Sequence, residues 1–229
     1  MAAMIHILET FCTMSGFRWF SLSHLGSPGE PTVKMVDVTN FPLAARETSL
    51  VHPLHLNNPM AMAVANCATS VSWSDIPKRV RLTDQHVRLL ELLSVHGLRY
   101  GVTVAVRIPG DRGGLVNFAS DDPSAALDEG RYAAELLAPH AFEAVRRIAG
   151  LVPPTNHASN LPLTGRQTEC LMLVAQGKSD WEAGRILGLS DQTVHDHVET
   201  VRRRYGVRRR TQLVVQTLYD GHLSFHDVL

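Results

Sequence analysis

Residues 151–162 read LVPPTNHASNLP, with three prolines, two asparagines and no charge. Proline fixes φ and lacks the backbone N–H, so no regular helix or central strand runs through such a stretch. It therefore acts as a linker and divides the 229-residue chain into a piece at 1–150 and a piece at 163–229. Each piece must bury its own apolar side chains.

The two pieces carry different periodicities. Before the linker, Gly16–Leu25 (GFRWFSLSHL) and Thr32–Thr39 (TVKMVDVT) alternate apolar and polar around the turn GSPGEP, as half-buried strands do. Asn58 and Pro59 are suited to the N-cap and first position of a helix through MAMAVANCA, and Thr83 caps a second helix that ends near Gly97. Val102–Ile108 and Leu115–Ala119 read as strands around PGDRGG, and Ser124–Gly150 reads as a long helix that Pro139 should kink or divide. The mixture predicts an α+β fold whose first domain is an α-β-α sandwich large enough to enclose a small ligand. After the linker the sequence reads as an all-α domain of four helices. Leu171, Val174 and Ala175 share one face, as do Ala183, Ile186 and Leu187, then Val194, Val198, Val201 and Tyr205; the fourth helix spans Arg210–Asp220.

Between the second and third of these helices lies Gly188-Leu189-Ser190. A short glycine-containing turn between two brief helices is a helix-turn-helix, in which one helix braces the DNA backbone and the next enters the major groove. Ser190 or Asp191 caps the recognition helix, and Gln192-Thr193-Val194-His195-Asp196-His197 follows with mostly polar side chains. The positive end of such a helix favours phosphate.

Charge first argues against this reading, since 22 Lys+Arg balance 22 Asp+Glu. The balance holds in each part, with 13 basic and 14 acidic residues in 1–160 and 9 and 8 in 161–229. Yet residues 202–210, RRRYGVRRR, gather six arginines without an acid. A basic patch within a neutral domain predicts modest non-specific affinity, with base contacts and dimerisation supplying more of the binding.

The segment from Leu163 to Leu223 resembles the DNA-binding domain of LuxR-type transcription regulators. The matching residues are Leu163-Thr164-x-Arg166, Glu169, Leu171, Ala175-x-Gly177-Lys178-Ser179, Trp181-Glu182, Leu187-Gly188-Leu189-Ser190, Thr193-Val194, His197, Tyr205-Gly206-Val207, Arg210 and Gly221. Gln167, Gly184 and His195 depart from the family's usual acid, alanine and Lys/Arg. The resemblance implies DNA contacts at Lys178, Ser179, Gln192, Thr193, His195, Asp196, Glu199, Arg202 and Arg203, with His195 and Glu199 weakening the positive face.

The first piece lacks the phosphoreceiver constellation of an acidic pair after one strand, a phosphorylatable aspartate after another and a later lysine; its pair Asp121-Asp122 lies late, in a turn before Pro123. Residues 14–150 resemble instead the autoinducer-binding domain of quorum-sensing regulators, which bind N-acyl homoserine lactones. Pro59, Trp73-Ser74, Gly97-Leu98-Arg99, Gly101-Val102-Thr103 and Ala119-Ser120 fall at the family's spacing. The resemblance implies that the Trp73 indole N–H bonds the lactone carbonyl and that Asn117 lies near the acyl chain's substituent. The family's aromatic triplet and following aspartate read here Phe41, Ala45, Ser49 and Asn58. Two rings of about 150–250 Å² each are thus lost, and a neutral amide stands for a charged acceptor. A head-group side that is larger and more polar is expected, fitted to a non-standard acyl homoserine lactone or another lipophilic signal. Capping by Asn58 and ordinary core packing by Trp73 are the plainer alternatives.

No Gly-rich phosphate loop or nucleophile elbow is present, so no enzymatic activity and no cofactor are expected. His52, His55, His195 and His197 have no carboxylate or cysteine arranged with them for a metal. No apolar run approaches the ~20 residues of a membrane span, and Met1–Met14 has no basic stretch of a secretory signal. The three cysteines form no disulfide framework, which points to the cytoplasm. The expected protein is a homodimeric ligand-responsive regulator on a palindromic operator. Helix 124–149 and the last helix, with Leu213, Val214 and Leu218, would build the dimer. A ligand-independent regulator and a protein that heterodimerises with and blocks a related regulator are the alternatives.

Overall fold

The computed structural model describes residues 1–25, 35–46, 58–109, 113–126, 128–152 and 162–228. Two compact units result, the first ending at Val152 and the second carrying the helices from Gly165 onward.

The first unit is built on five antiparallel strands: β1 (Trp19–His24), β2 (Asp37–Thr39), β3 (Val71–Ser72), β4 (Tyr100–Val106) and β5 (Gly114–Ser120). Their order across the sheet is β2-β1-β5-β4-β3. Because side chains alternate along a strand, the register decides which residues share a face. Phe20 and Leu22 of β1, Val116 and Phe118 of β5 and Val102, Val104 and Val106 of β4 pack in one core with the helices α1 (Ala2–Met14) and α5 (Asp128–Ile148). On the opposite face Leu115 and Ala119 pack with Trp73 and with the helices α2 (Pro59–Val64), α3 (Ile76–Arg79) and α4 (Asp84–Val95). The architecture is the expected α-β-α sandwich.

Four details differ from the sequence reading. Pro139 does not divide the last helix, since α5 runs unbroken through 21 residues with Pro139 inside. Its ring lies on the exposed side, while Ala134, Ala138, Ala141, Phe142 and Val145 hold the other side to the sheet. The residues before Asp128 form a separate short 3-10 turn, Pro123–Ala126, instead of helix. Strand β2 is only three residues long, and the turn GSPGEP with Thr32–Lys34 lies outside the described residues. Helix α1 was not foreseen, although Leu8 and Cys12, one turn apart, supply its buried side.

The second unit contains α6 (Gly165–Ala175), α7 (Asp180–Leu187), α8 (Asp191–Arg204), α9 (Arg210–Tyr219) and the one-turn α10 (Phe225–Val228). Local chemistry sets most of the starts. Thr164 with Gln167 and Ser179 with Glu182 form reciprocal capping boxes, and the Ser190 side chain accepts from the Thr193 N–H. Gly188, at φ 68°, ends α7 in the left-handed conformation. Cys170, Leu171, Val174, Ala183, Val194, Val198, Val201, Leu213 and Leu223 form the core. Gly184 has a structural reason: a Cβ there would stand 2.8 Å from the Leu189 carbonyl oxygen, so the close approach of α7 to the turn excludes one. Leu213 is fully buried and Val214 and Leu218 pack against this core, so the outward side of α9 is marked instead by Val215, 66% exposed.

Candidate ligand layer and nucleic-acid interface

Between the sheet and α2–α4, three strands bring polar side chains into one row. Ser21 on β1 and Thr103 on β4 both stand opposite Asn117 on β5. The Trp73 Nε1–H donates to Thr103 Oγ1 at 2.8 Å, and Thr103 Oγ1 donates to Asn117 Oδ1 at 2.7 Å. Asn117 Nδ2 donates in turn to Ser21 Oγ at 3.0 Å. The directions follow from chemistry: an indole only donates, so the single hydroxyl hydrogen of Thr103 goes on to the amide oxygen. Thr103 is 1% exposed, and an unsatisfied hydroxyl there would be costly, so the row is complete where burial demands it. The Ser21 O–H and the second Asn117 N–H are the donors this row has left to offer.

The expected ligand residues are placed unevenly. Trp73 is buried in a 3-10 turn, Trp73–Asp75, and its N–H donates to Thr103. Asn58 Oδ1 accepts from the backbone N–H groups of Met60 at 2.8 Å and Ala61 at 3.4 Å. The capping role therefore occupies the oxygen expected to receive a ligand amide. Ala45 is buried and Phe41 half-buried in the same apolar layer. Ser49 lies outside the described residues. Thr103 and Ser21 were missed; Thr103 is a polar residue within the otherwise apolar run of β4, a signal present in the sequence, whereas Ser21 lies at the polar phase of the alternating β1, which reads as solvent-facing. An open cleft of about 1040 Å³ at the β3 edge, lined in part by Ser70, Ser72, Asp75, Arg79, Asp128 and Arg131, contains none of the expected ligand residues.

In the second unit, Val194, Val198 and Val201 turn one side of α8 into the core. Asp191, Gln192, His195, Asp196 and Arg203 lie exposed, with Glu199 half-buried on the same stripe and Thr193 half-buried beside it. Gln192 Nε2 donates to Asp196 Oδ1 at 3.0 Å. Lys178 is exposed, and the Ser179 hydroxyl is engaged in the α7 cap with Glu182. That network holds the Glu182 carboxyl below its usual range, the Ser179 backbone N–H contributing most.

The arginine cluster is less uniform than its sequence. Arg202 donates to both oxygens of Glu199, at 2.7 and 2.6 Å, and its Nη1 reaches the carbonyl oxygens of Val207 and Arg208. The guanidinium is thus engaged within the domain, because the turn after α8 exposes carbonyls that it satisfies. The same hydrogen bonds hold the Glu199 carboxyl below the usual range. Arg210 donates to Asp180 Oδ1 at 2.7 Å, and Arg204 reaches the Pro162 carbonyl at 3.5 Å. Arg203, Arg208 and Arg209 are exposed.

Comparison with known proteins gives one consistent picture. The autoinducer binding domain family matches residues 1–145, and the family of bacterial regulatory proteins of luxR type matches residues 161–217. The HTH-type transcriptional regulator y4qH of Sinorhizobium fredii is 27% identical over 223 residues, which are 95% of this chain and 67% of y4qH. The transcriptional activator AhyR of Aeromonas hydrophila is 25% identical over 169 residues, 72% of this chain and 65% of AhyR. Among solved structures, Escherichia coli SdiA in complex with octanoyl-rac-glycerol aligns with a TM-score of 0.58 at 21% identity, covering 96% of this chain and 88% of that one. Among the described residues no helix is long and apolar enough to cross a membrane.

Proposed function

We propose a function from one premise: the chain belongs to the LuxR family of bacterial regulatory proteins, in the branch that carries an autoinducer-binding domain. On this reading it is a ligand-responsive transcription regulator of the cytoplasm. Residues 1–150 form the ligand domain, 151–162 the linker and 163–229 the DNA-binding domain. Gln192, Thr193, His195 and Asp196 meet base edges, while Lys178, Ser179, Arg203, Arg208 and Arg209 meet phosphates. Arg202 and Glu199 serve instead to brace the turn after α8. Two copies on a palindromic operator bring their recognition helices to successive major grooves. Leu136, 75% exposed on α5, and Val215 on α9 are apolar side chains suited to the contact between copies.

The ligand is a small lipophilic molecule carrying an oxygen acceptor, with an ordinary acyl homoserine lactone not its best form. The observation that supports this is the row Trp73–Thr103–Asn117–Ser21 inside an apolar layer, together with Ala45 and Asn58 where the family has an aromatic and an acid. Phe41 and Ser49 complete the candidate set. Binding of such a molecule would favour the dimer geometry that fits the operator, by its preference for one state over the other. Mass spectrometry of the small molecule that co-purifies with the full chain tests the ligand, and footprinting on the chain's own promoter region tests the DNA reading. A lipophilic oxygen-bearing compound and a two-fold footprint are expected. The acidic groups Asp191, Asp196 and Glu199 on the recognition face favour one second reading, a partner that blocks a related regulator; co-purification with that regulator and no footprint would establish it instead.

A further inference from the structure

His195 is the one imidazole on the exposed stripe of α8, and its environment fixes which nitrogen carries hydrogen. Its Nδ1 lies 3.2 Å from Asp180 Oδ2 on α7, and an ionised carboxylate only accepts, so Nδ1 is the protonated nitrogen. Asp180 is itself anchored: its Oδ1 accepts from Arg210 Nη1 at 2.7 Å, and Arg210 Nη2 reaches the Lys178 carbonyl at 3.3 Å. Three helices thus meet in one chain of contacts, Arg210 on α9, Asp180 on α7 and His195 on α8. The carboxylate is only 23% exposed whereas the His195 side chain is 57% exposed, so the ring's other nitrogen is the one available to DNA. Neutral, that Nε2 is an acceptor; as imidazolium it becomes a donor.

We propose that Asp180 positions His195 so that Nε2 meets DNA as a donor in the imidazolium form, which couples DNA binding to uptake of one proton per subunit. The inference rests on the DNA-binding reading above. The charged groups around the ring are of both signs: Asp180 faces it from α7 and is paired with Arg210 of α9, Asp191 and Glu199 stand one turn away on either side along α8, with Glu199 paired to Arg202 and Arg203, and Asp196 is its neighbour. Approach of DNA adds phosphate charge of the same sign as these carboxylates. The receiving atom is an oxygen or nitrogen acceptor, either guanine N7/O6 at a base edge or a phosphate oxygen.

The test uses the full chain and two fluorescent duplexes: one enriched from a random pool by the protein at pH 6, and a scrambled duplex of equal composition. Affinity of the wild type for the enriched duplex should fall between pH 6 and pH 8, with up to about tenfold attributable to each subunit per pH unit. Other histidines of this unit (His197, His222, His226) titrate in every variant, so the difference from H195Q isolates this ring. H195R, a permanent donor, should bind at pH 8 nearly as the wild type does at pH 6. D180N, which keeps an acceptor oxygen but not the charge, should shift the loss to lower pH while its melting temperature reports folding. A loss confined to the enriched duplex assigns the base edge, and an equal loss on the scrambled duplex assigns phosphate. The proposal is overturned if H195Q shows the wild-type pH response, or if H195R gains nothing over H195Q at pH 8. Failure to enrich any duplex at either pH would count against the DNA-binding reading itself.

Discussion

At the scale of single residues, the ligand layer is decided by who already holds each polar atom. Asn58 spends its oxygen on the α2 cap, so Asn58→Ala should lower unfolding free energy by about 1 kcal/mol, with ligand affinity changed far less. Urea denaturation and calorimetry on the same variant check this, and a large loss of affinity at unchanged stability would restore the ligand-contact role. Gly101 makes the second case. A Cβ there would stand 2.6 Å from the Phe118 carbonyl oxygen and 2.8 Å from the Trp73 ring. Backbone and a buried indole yield little, so Gly101→Ala should cost about 1–3 kcal/mol through overpacking. It should also displace Trp73 from Thr103, which a shift in tryptophan emission would report. A variant as stable as the wild type would mean that the indole relocates without cost.

At the scale of elements, Arg202 and Arg203 are neighbours in sequence with opposite assignments. Arg202→Ala should leave the salt dependence of DNA binding unchanged while lowering stability, because it leaves Glu199 with Arg203 alone at 3.7 Å and two carbonyls without their guanidinium. Arg203→Ala should reduce the slope of log K against log salt by about 0.9 per subunit. Anisotropy titrations at several salt concentrations separate the two, and equal slopes for both variants would contradict the assignment. The difference also marks how far the sequence was legible. Helical and two-fold periodicities disclosed β1 and α6–α8, because those patterns follow from one buried side. Capping signals at Asn58, Thr83 and Ser190 located helix starts, because caps are local chemistry. Partner choice was hidden: nothing in RRRYGVRRR tells that one guanidinium closes onto Glu199, since that depends on the turn at Gly206 bringing two carbonyls back to α8. Thr103 and Ser21 were likewise invisible as a pair, because Asn117 joins them only through the β1-β5-β4 register.

At the scale of the whole molecule, two separate cores carry two separate sets of surface carboxylates that their hydrogen bonds favour as anions. Asp122 is held below its usual 3.8 by the Ser124 N–H and hydroxyl, and Asp227 below 3.8 by those of Ser224. Glu182 and Glu199 are held below 4.5 by Ser179 and Arg202. Each has a folded value below its unfolded one, so the unfolded chain takes up protons first as pH falls. Their contribution to stability is therefore complete above about pH 4.5 and is lost as pH drops through that value and below. Melting temperature should be flat in this respect from pH 7 down to about pH 5 and fall beneath it, in both units. A ligand seated in the first core, as proposed, would act differently, since it would bond to that unit alone. Mass action predicts about 2.7 kcal/mol of added stability at a ligand concentration one hundred times its Kd, on the transition that exposes Trp19 and Trp73. Trp181, exposed on α7, reports the other unit. Calorimetric melts with the co-purifying compound and with a common unmodified acyl homoserine lactone should give a large first-unit shift for the former and a small one for the latter. Equal shifts, or nanomolar affinity for the ordinary lactone, would mean that Ala45 and Asn58 leave the head-group side unchanged in its preference.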